Sequence, residues 1–272
     1  MMTISPVNNI AYYSELAKDD YYLDHGEQKG RWYGKGSLNF DLHGSAIEDL
    51  DYQKMMEGYS PTGEPLVQNA GDTKRRAAWD CTFSAPKSIS LLWASSPPKL
   101  KKRIEQAHRQ SVQSAINLME QRSALTRRGK GSKIHERVAG LTVALFDHCS
   151  NREQEPQLHT HALVLNIAQR FDQTWGSLES RQIYKWKKSI GAVYRAELAY
   201  QMRSLGFEIE PDGDSFHIKG ISEELCRLYS TRTKQIKEAL KSAGIQSSSS
   251  KKGAAFKLTT RKAKKSVNNL AL

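Results

Sequence analysis

Apolar positions along the 272-residue chain change their period several times, and each change marks an element. A short strand is predicted near residues 3–7. Residues 78–84, AWDCTFS, alternate as a half-buried strand that ends at a turn before Pro86, which places Asp80 opposite Trp79, Cys81 and Phe83. From Pro98, Ile104, Val112, Ile116 and Met119, with Ala107 and Ala115, recur at helical spacing, so a long helix is expected to run until TRRGKGSK, a basic loop. AGLTVALFDH and LHTHALVLNIAQR read as two strands joined by the polar CSNREQEPQ, hence an antiparallel hairpin.

A second amphipathic helix is expected over about 189–205, on the stripe Ile190, Val193, Tyr194, Leu198, Met202 and Leu205, with Gly206 as its stop. FEIE and SFHIKG flank PDGD as a second hairpin. A third helix over about 222–243 leads to SSSSKKG, a flexible joint, and a Lys-rich tail. At the other end, NNIAYYSELAKDDYYLDHG has helical character, and Gly26, Gly30, Gly34, Gly36 and Gly44 mark binding loops around RWYGKG. No internal repeat is present. Hairpins rather than regular βαβ units make the fold class α+β with an antiparallel sheet.

Composition narrows the function. At 38% hydrophobic the chain can fill a core, and no stretch approaches the roughly 20 apolar residues of a membrane helix. MMTISPVNNI lacks the regions of a signal peptide, so the expected location is cytoplasmic, without membrane insertion. Cys81, Cys149 and Cys226 form no CxxC pair and read as reduced thiols. The net charge of +12, from 41 Lys and Arg against 29 Asp and Glu, points to a polyanionic partner, nucleic acid before membrane. It is unevenly spread: residues 1–72 carry −7, 73–140 carry +11, 141–230 carry −2, and 231–272 carry +10.

The candidate chemistry centres on His159-Thr160-His161, with His148 eleven residues upstream of the first. Residues two apart on a strand project to one face, and the hairpin can bring His148 beside them. Three imidazoles with open positions suit a catalytic metal site, whereas an HxH pair alone better suits satisfied interfacial histidines. Tyr12 and Tyr13, then Tyr21 and Tyr22, form two adjacent pairs; a phenol of pKa about 10 attacks phosphate only with a base or a metal-polarised electrophile. Paired tyrosines also serve as packing residues. In one continuous helix Tyr12 and Tyr21 would stand about 13 Å apart on opposite faces, so both reach one site only across a break. Asp80, the only acidic residue between Asp72 and Glu105, could take a proton or orient a histidine, or could pair with Lys74, Arg75 or Arg76. Trp32, Tyr33 and Lys35 are candidates for stacking on bases and touching phosphates. Arg75, Arg76, Lys87, Arg127, Arg128, Lys130, Lys187 and Lys188 are candidate phosphate contacts. GKG at 34–36 and 129–131 does not fit GxxxxGK[ST], so no P-loop motor is expected.

Together YY…DDYY, WDCTFSAPKSIS, FDHCSNREQEPQLHTHALVLN and GAVYRAELA, in this order, resemble the relaxase domain of MobF-class conjugative relaxases of the TrwC and TraI type, over about residues 3–265. The resemblance implies a histidine-hydrophobe-histidine (HUH) endonuclease fold: a five-stranded antiparallel palm with flanking helices and a C-terminal helical lid. It divides the chain into a core, 1–230, and a basic lid and tail, 231–272, that forms a junction to domains absent from this chain. It implies a DNA transesterase that nicks one strand at an origin of transfer. Tyr12 matches the first nucleophile, Tyr21 the second, with Tyr13 and Tyr22 as companions. His148, His159 and His161 match ligands of a divalent metal, Mg or Mn in the cell with Zn, Ni or Co possible in crystals, and Asp80 matches the assisting acid. The implied partners are a DNA hairpin with its single strand, accessory relaxosome proteins, and a coupling protein of a type IV secretion system that delivers the relaxase to the recipient cell. The implied state is a monomer. AAFKLTTRKAKKS resembles the family's continuation toward a helicase, yet no ATPase activity is expected of this chain. The competing readings are a rolling-circle replication initiator of the same chemistry and a non-catalytic DNA-binding module.

Overall fold

A computed structural model describes residues 2–7, 30–151 and 153–242. Five strands, Met2–Pro6 (β1), Arg31–Tyr33 (β2), Ala78–Ser84 (β3), Val143–Ser150 (β6) and Pro156–Leu165 (β7), form one sheet in the order β1-β3-β7-β6-β2. Every neighbouring pair is antiparallel, as the hairpin pattern requires. Two further strands, Leu125–Arg128 (β4) and Ile134–Arg137 (β5), make a separate hairpin. Beyond the sheet come two-residue strands at Ala168–Gln169 (β8) and Trp175–Gly176 (β9), then the hairpin Ile209–Asp212 (β10) and Ser215–Ile218 (β11).

The sheet is covered on both sides. Helices Lys87–Ser95 (α2), Pro98–Ser123 (α3) and Ser180–Ser204 (α4) lie on one face, where Ile104, Val112, Ile116, Met119, Ile190, Leu198 and Met202 pack on Cys81, Phe83, Val143, Leu145, Ala162 and Val164. At about 1.5–3 kcal/mol per fully buried large apolar side chain, this layer supplies most of the driving force for folding. The opposite face carries a second apolar cluster, in which Tyr52, Met55 and Met56 of helix Asp49–Glu57 (α1) meet Trp32, Ala78, Ala144, Phe146, Leu163 and Leu165. Among the described residues no helix is long and apolar enough to cross a membrane.

Several expectations change. AWDCTFS is not half-buried: Ala78, Trp79, Asp80 and Cys81 are all buried, because the second cluster covers the face assigned to solvent. The helix expected from 189 begins at Ser180, since the Glu179 side chain caps it by accepting the Arg181 N–H at 3.0 Å, ahead of any apolar stripe. TRRGKGSK is the turn of the β4–β5 hairpin rather than a plain loop. The helix expected over 222–243 is two, Glu223–Leu228 (α5) and Thr231–Ser242 (α6), divided where the Thr231 N–H donates to buried Glu155 at 2.9 Å. The glycines of RWYGKG serve close packing. Gly34 has φ +86°, and a Cβ there would lie 2.2 Å from the Leu141 carbonyl oxygen.

Candidate active site

The site is built on β6 and β7. Residues 159, 161, 163 and 165 of β7 face the α1 side, as do 144, 146 and 148 of β6. His148 lies directly opposite His159 in the register, and Phe146 opposite His161. The three rings therefore form a triangle, with centroids 5.1 Å apart for His148 and His159 and 5.2 Å for each ring to His161.

Asp80 of β3 completes the group. Its Oδ2 accepts from His161 Nδ1 at 2.8 Å, and its Oδ1 accepts from Thr82 Oγ1 at 3.1 Å. The pairing with Lys74, Arg75 or Arg76 considered from sequence gives way to this histidine contact. His159 Nδ1 donates to the Gln157 carbonyl at 2.8 Å. In both rings the acceptor at Nδ1 selects the tautomer whose lone pair sits on Nε2, as metal-binding imidazoles require. Burial, with positive charge from the other two imidazoles adding to it, holds His159 well below the usual histidine range, so its ring stays a neutral donor.

These residues suit a divalent ion. An imidazole nitrogen bound at about 2.0–2.1 Å places its ring centre roughly 3.2 Å from the ion, so three rings on a tetrahedral face stand about 5.2 Å apart. Among the described residues no three His, Cys, Asp or Glu side chains are drawn together tightly enough to hold an ion as they stand. The observed centroid spacing of 5.1–5.2 Å matches that separation.

Tyr12, Tyr13, Tyr21 and Tyr22 lie outside the described residues. Of the basic candidates, Arg76, Lys130 and Lys188 are exposed and Lys187 is half-buried. Arg127 pairs with Glu179 at 3.1 Å, and Arg128 with Glu136 at 3.2 Å and with Asp172. Lys87 donates to the Pro156 carbonyl at 2.9 Å, and burial lowers its pKa. Two assignments are corrected. Arg75 donates to the Met56 and Asn166 carbonyls at 2.6 and 3.1 Å, which makes it a clamp between the last turn of α1 and the segment after β7 rather than a phosphate contact. Trp32 is fully buried in the second cluster and offers no stacking surface, because the edge strand β2 turns it inward.

Sequence reasoning missed a polar group on the helix side of the sheet: Asp147, Thr160, His108 and Tyr194, joined by hydrogen bonds. Its signal was a polar residue in the middle of an apolar stripe. His108 stands four residues after Ile104 and four before Val112, and burial pushes its pKa down to about 4.

A five-stranded antiparallel palm with a His-x-His strand at its centre, a third histidine on the next strand and a buried carboxylate on the other defines the class of this protein. Within that class the chain belongs to the TrwC relaxase family, whose sequence model matches residues 7–272. It is 32% identical over 284 aligned residues to the multifunctional conjugation protein TraI of Escherichia coli K12, covering 98% of this chain and 15% of that protein. The chain thus spans a small part of that curated relative. Solved structures similar to it include the conjugative relaxase TrwC with oriT DNA in a copper-bound form, at TM-score 0.85 and 31% identity over 98% of this chain and 93% of that one. The metal-free TrwC complex with oriT DNA gives 0.84 and 29%, over 98% and 93%.

Proposed function

We propose that this chain is the strand-cutting and strand-rejoining domain of a conjugative DNA relaxase, acting on single-stranded DNA at an origin of transfer with a divalent metal. The observation that carries the reading is the triangle of His148, His159 and His161 backed by Asp80. Membership of the TrwC relaxase family supports it.

His148, His159 and His161 would hold the ion, which when bound supplies positive charge to a non-bridging phosphate oxygen. Asp80 orients His161 and, through it, the face presented to the phosphate. Tyr12 Oη forms the new bond to phosphorus as the phosphorus–O3′ bond breaks. The phenolic proton leaves to a base, and the departing 3′ oxygen gains one. The products are a 5′-phosphotyrosine and a free 3′-hydroxyl. One phosphoester replaces another, so the reverse attack by a 3′-hydroxyl rejoins the strand without ATP. Tyr21 takes the second transfer, with Tyr13 and Tyr22 beside the two nucleophiles. Exposed Arg76, Lys130 and Lys188 contact backbone phosphates. Mg or Mn is the cellular metal. A DNA hairpin beside the nick, accessory proteins and a secretion coupling protein are the partners, and the protein acts as a cytoplasmic monomer before transfer. Residues 1–230 form the cutting core, and 231–272 the basic lid.

The test is incubation with a labelled single-stranded oligonucleotide from the cognate transfer origin and divalent metal. A nick with a covalent adduct that maps to Tyr12, lost in Tyr12→Phe while DNA affinity persists, is expected. DNA binding with no nick and no adduct would make the chain a binding module. Cutting that requires a replication origin instead would make it a rolling-circle initiator.

A further inference from the structure

On the face of the sheet opposite the histidine triangle, three buried side chains and the partly buried Asp147 form one chain of hydrogen bonds. Tyr194 Oη lies 2.9 Å from His108 Nδ1, His108 Nε2 lies 2.9 Å from Thr160 Oγ1, and Thr160 Oγ1 donates to Asp147 Oδ1 at 2.6 Å. Asp147 Oδ2 accepts from Arg109 Nε at 2.8 Å and from Arg31. The directions are forced. The carboxylate, held ionised by two guanidinium groups, only accepts. The single Thr160 proton goes to it, so His108 donates from Nε2 and Tyr194 donates to His108 Nδ1. Every polar atom in this chain has one role.

Its position bears on the site. Thr160 stands between His159 and His161, Asp147 immediately precedes His148, and the two are register partners. The β6–β7 ladder shifts register just beyond, between His148 and Ser150. A one-residue slip there would send the histidines to the helix face. A buried polar chain of this kind commonly gives no more stability than apolar packing, but it accepts one geometry only. We infer that Thr160, braced by His108, Tyr194 and Asp147, is a positioning residue that holds β6 and β7 in the register at which the three histidines meet. This rests on the metal-centre reading proposed above.

Cobalt(II) titration, followed by calorimetry and by visible absorption, tests it on the whole chain. Thr160→Val is expected to bind Co(II) about 10–100-fold more weakly with an altered absorption band. Thr160→Ser, which restores the hydroxyl, is expected to return to within about threefold of wild type, an outcome loss of the methyl group does not predict. A folded Thr160→Val with wild-type affinity and spectrum, or a Thr160→Ser no better than it, overturns the role. Where Thr160→Val does not fold, Tyr194→Phe decides: a few-fold weaker binding supports the role and unchanged binding overturns it. Wild-type protein that takes up no Co(II) overturns the metal reading itself, a result distinct from any difference between variants.

Discussion

The two faces of the palm both carry buried histidines, and they use them differently. On the helix face, His108 has each ring nitrogen engaged by the fold, Nδ1 by Tyr194 and Nε2 by Thr160. On the α1 face, His159 and His161 are each engaged by the fold through Nδ1, by a carbonyl and by Asp80, which leaves the lone pair on Nε2. The lesson is that burial and proximity do not separate a structural histidine from a ligand. The bond at the far nitrogen does, because it sets the tautomer.

The largest effect that could break this comparison comes from removing a proposed ligand. His159→Ala should abolish metal binding and lower nicking by at least about 10³-fold, read by calorimetry and by gel assay on an origin oligonucleotide. Retained nicking would place His159 with His108 as a structural residue. Next in size, Asp80→Asn removes the carboxylate that orients His161 and should weaken metal binding about 10–100-fold, with the unfolding midpoint little changed.

A pH titration of the metal-free protein sharpens the helix-face half. Burial lowers the His108 pKa from 6.5 to about 4, so the unfolded chain binds a proton across that window that the folded chain refuses. Stability is therefore fully present above about pH 6.5 and falls as the pH drops toward 4, with a slope approaching about 1.4 kcal/mol per unit from this group. His108→Gln should remove one proton from that slope in denaturant titrations run at several pH values. An unchanged slope would show that His108 protonates within the fold.

The smallest effects belong to the surface. Lys130→Ala or Lys188→Ala should each weaken single-stranded DNA binding a few-fold and reduce the salt dependence by about 0.7 in the log–log slope, without altering stability. Arg75→Ala should do the reverse, lowering the unfolding temperature while leaving the salt slope intact, since its guanidinium holds two carbonyls.

Much of the site was legible before any coordinates. His-x-His on an alternating strand places two imidazoles on one face by geometry alone, and the hairpin length sets His148 against His159. The order of the tyrosine, WDCTFS and HTH segments was enough to place the chain in its family. The helix stripes around Ile104 and Ile190 likewise announced the packing of α3 and α4.

Side-chain partners across the fold were not legible, because they depend on residues far apart in sequence. Arg75 and Arg76 are adjacent and chemically identical, yet one clamps carbonyls 19 and 91 residues away and the other is exposed. Trp32 has the composition of a binding loop and the burial of a core residue. The helix starting at Ser180 and the break before Thr231 were settled by Glu179 and Glu155, single polar contacts that no period reveals. Local pattern thus determined the elements, their faces and the family, since strand and helix periods are properties of neighbouring residues. Only the tertiary structure decided which carboxylate meets which histidine, that Asp80 serves His161 while Asp147 serves Thr160 from the other side of the same sheet, because that depends on register and on which layer covers each face.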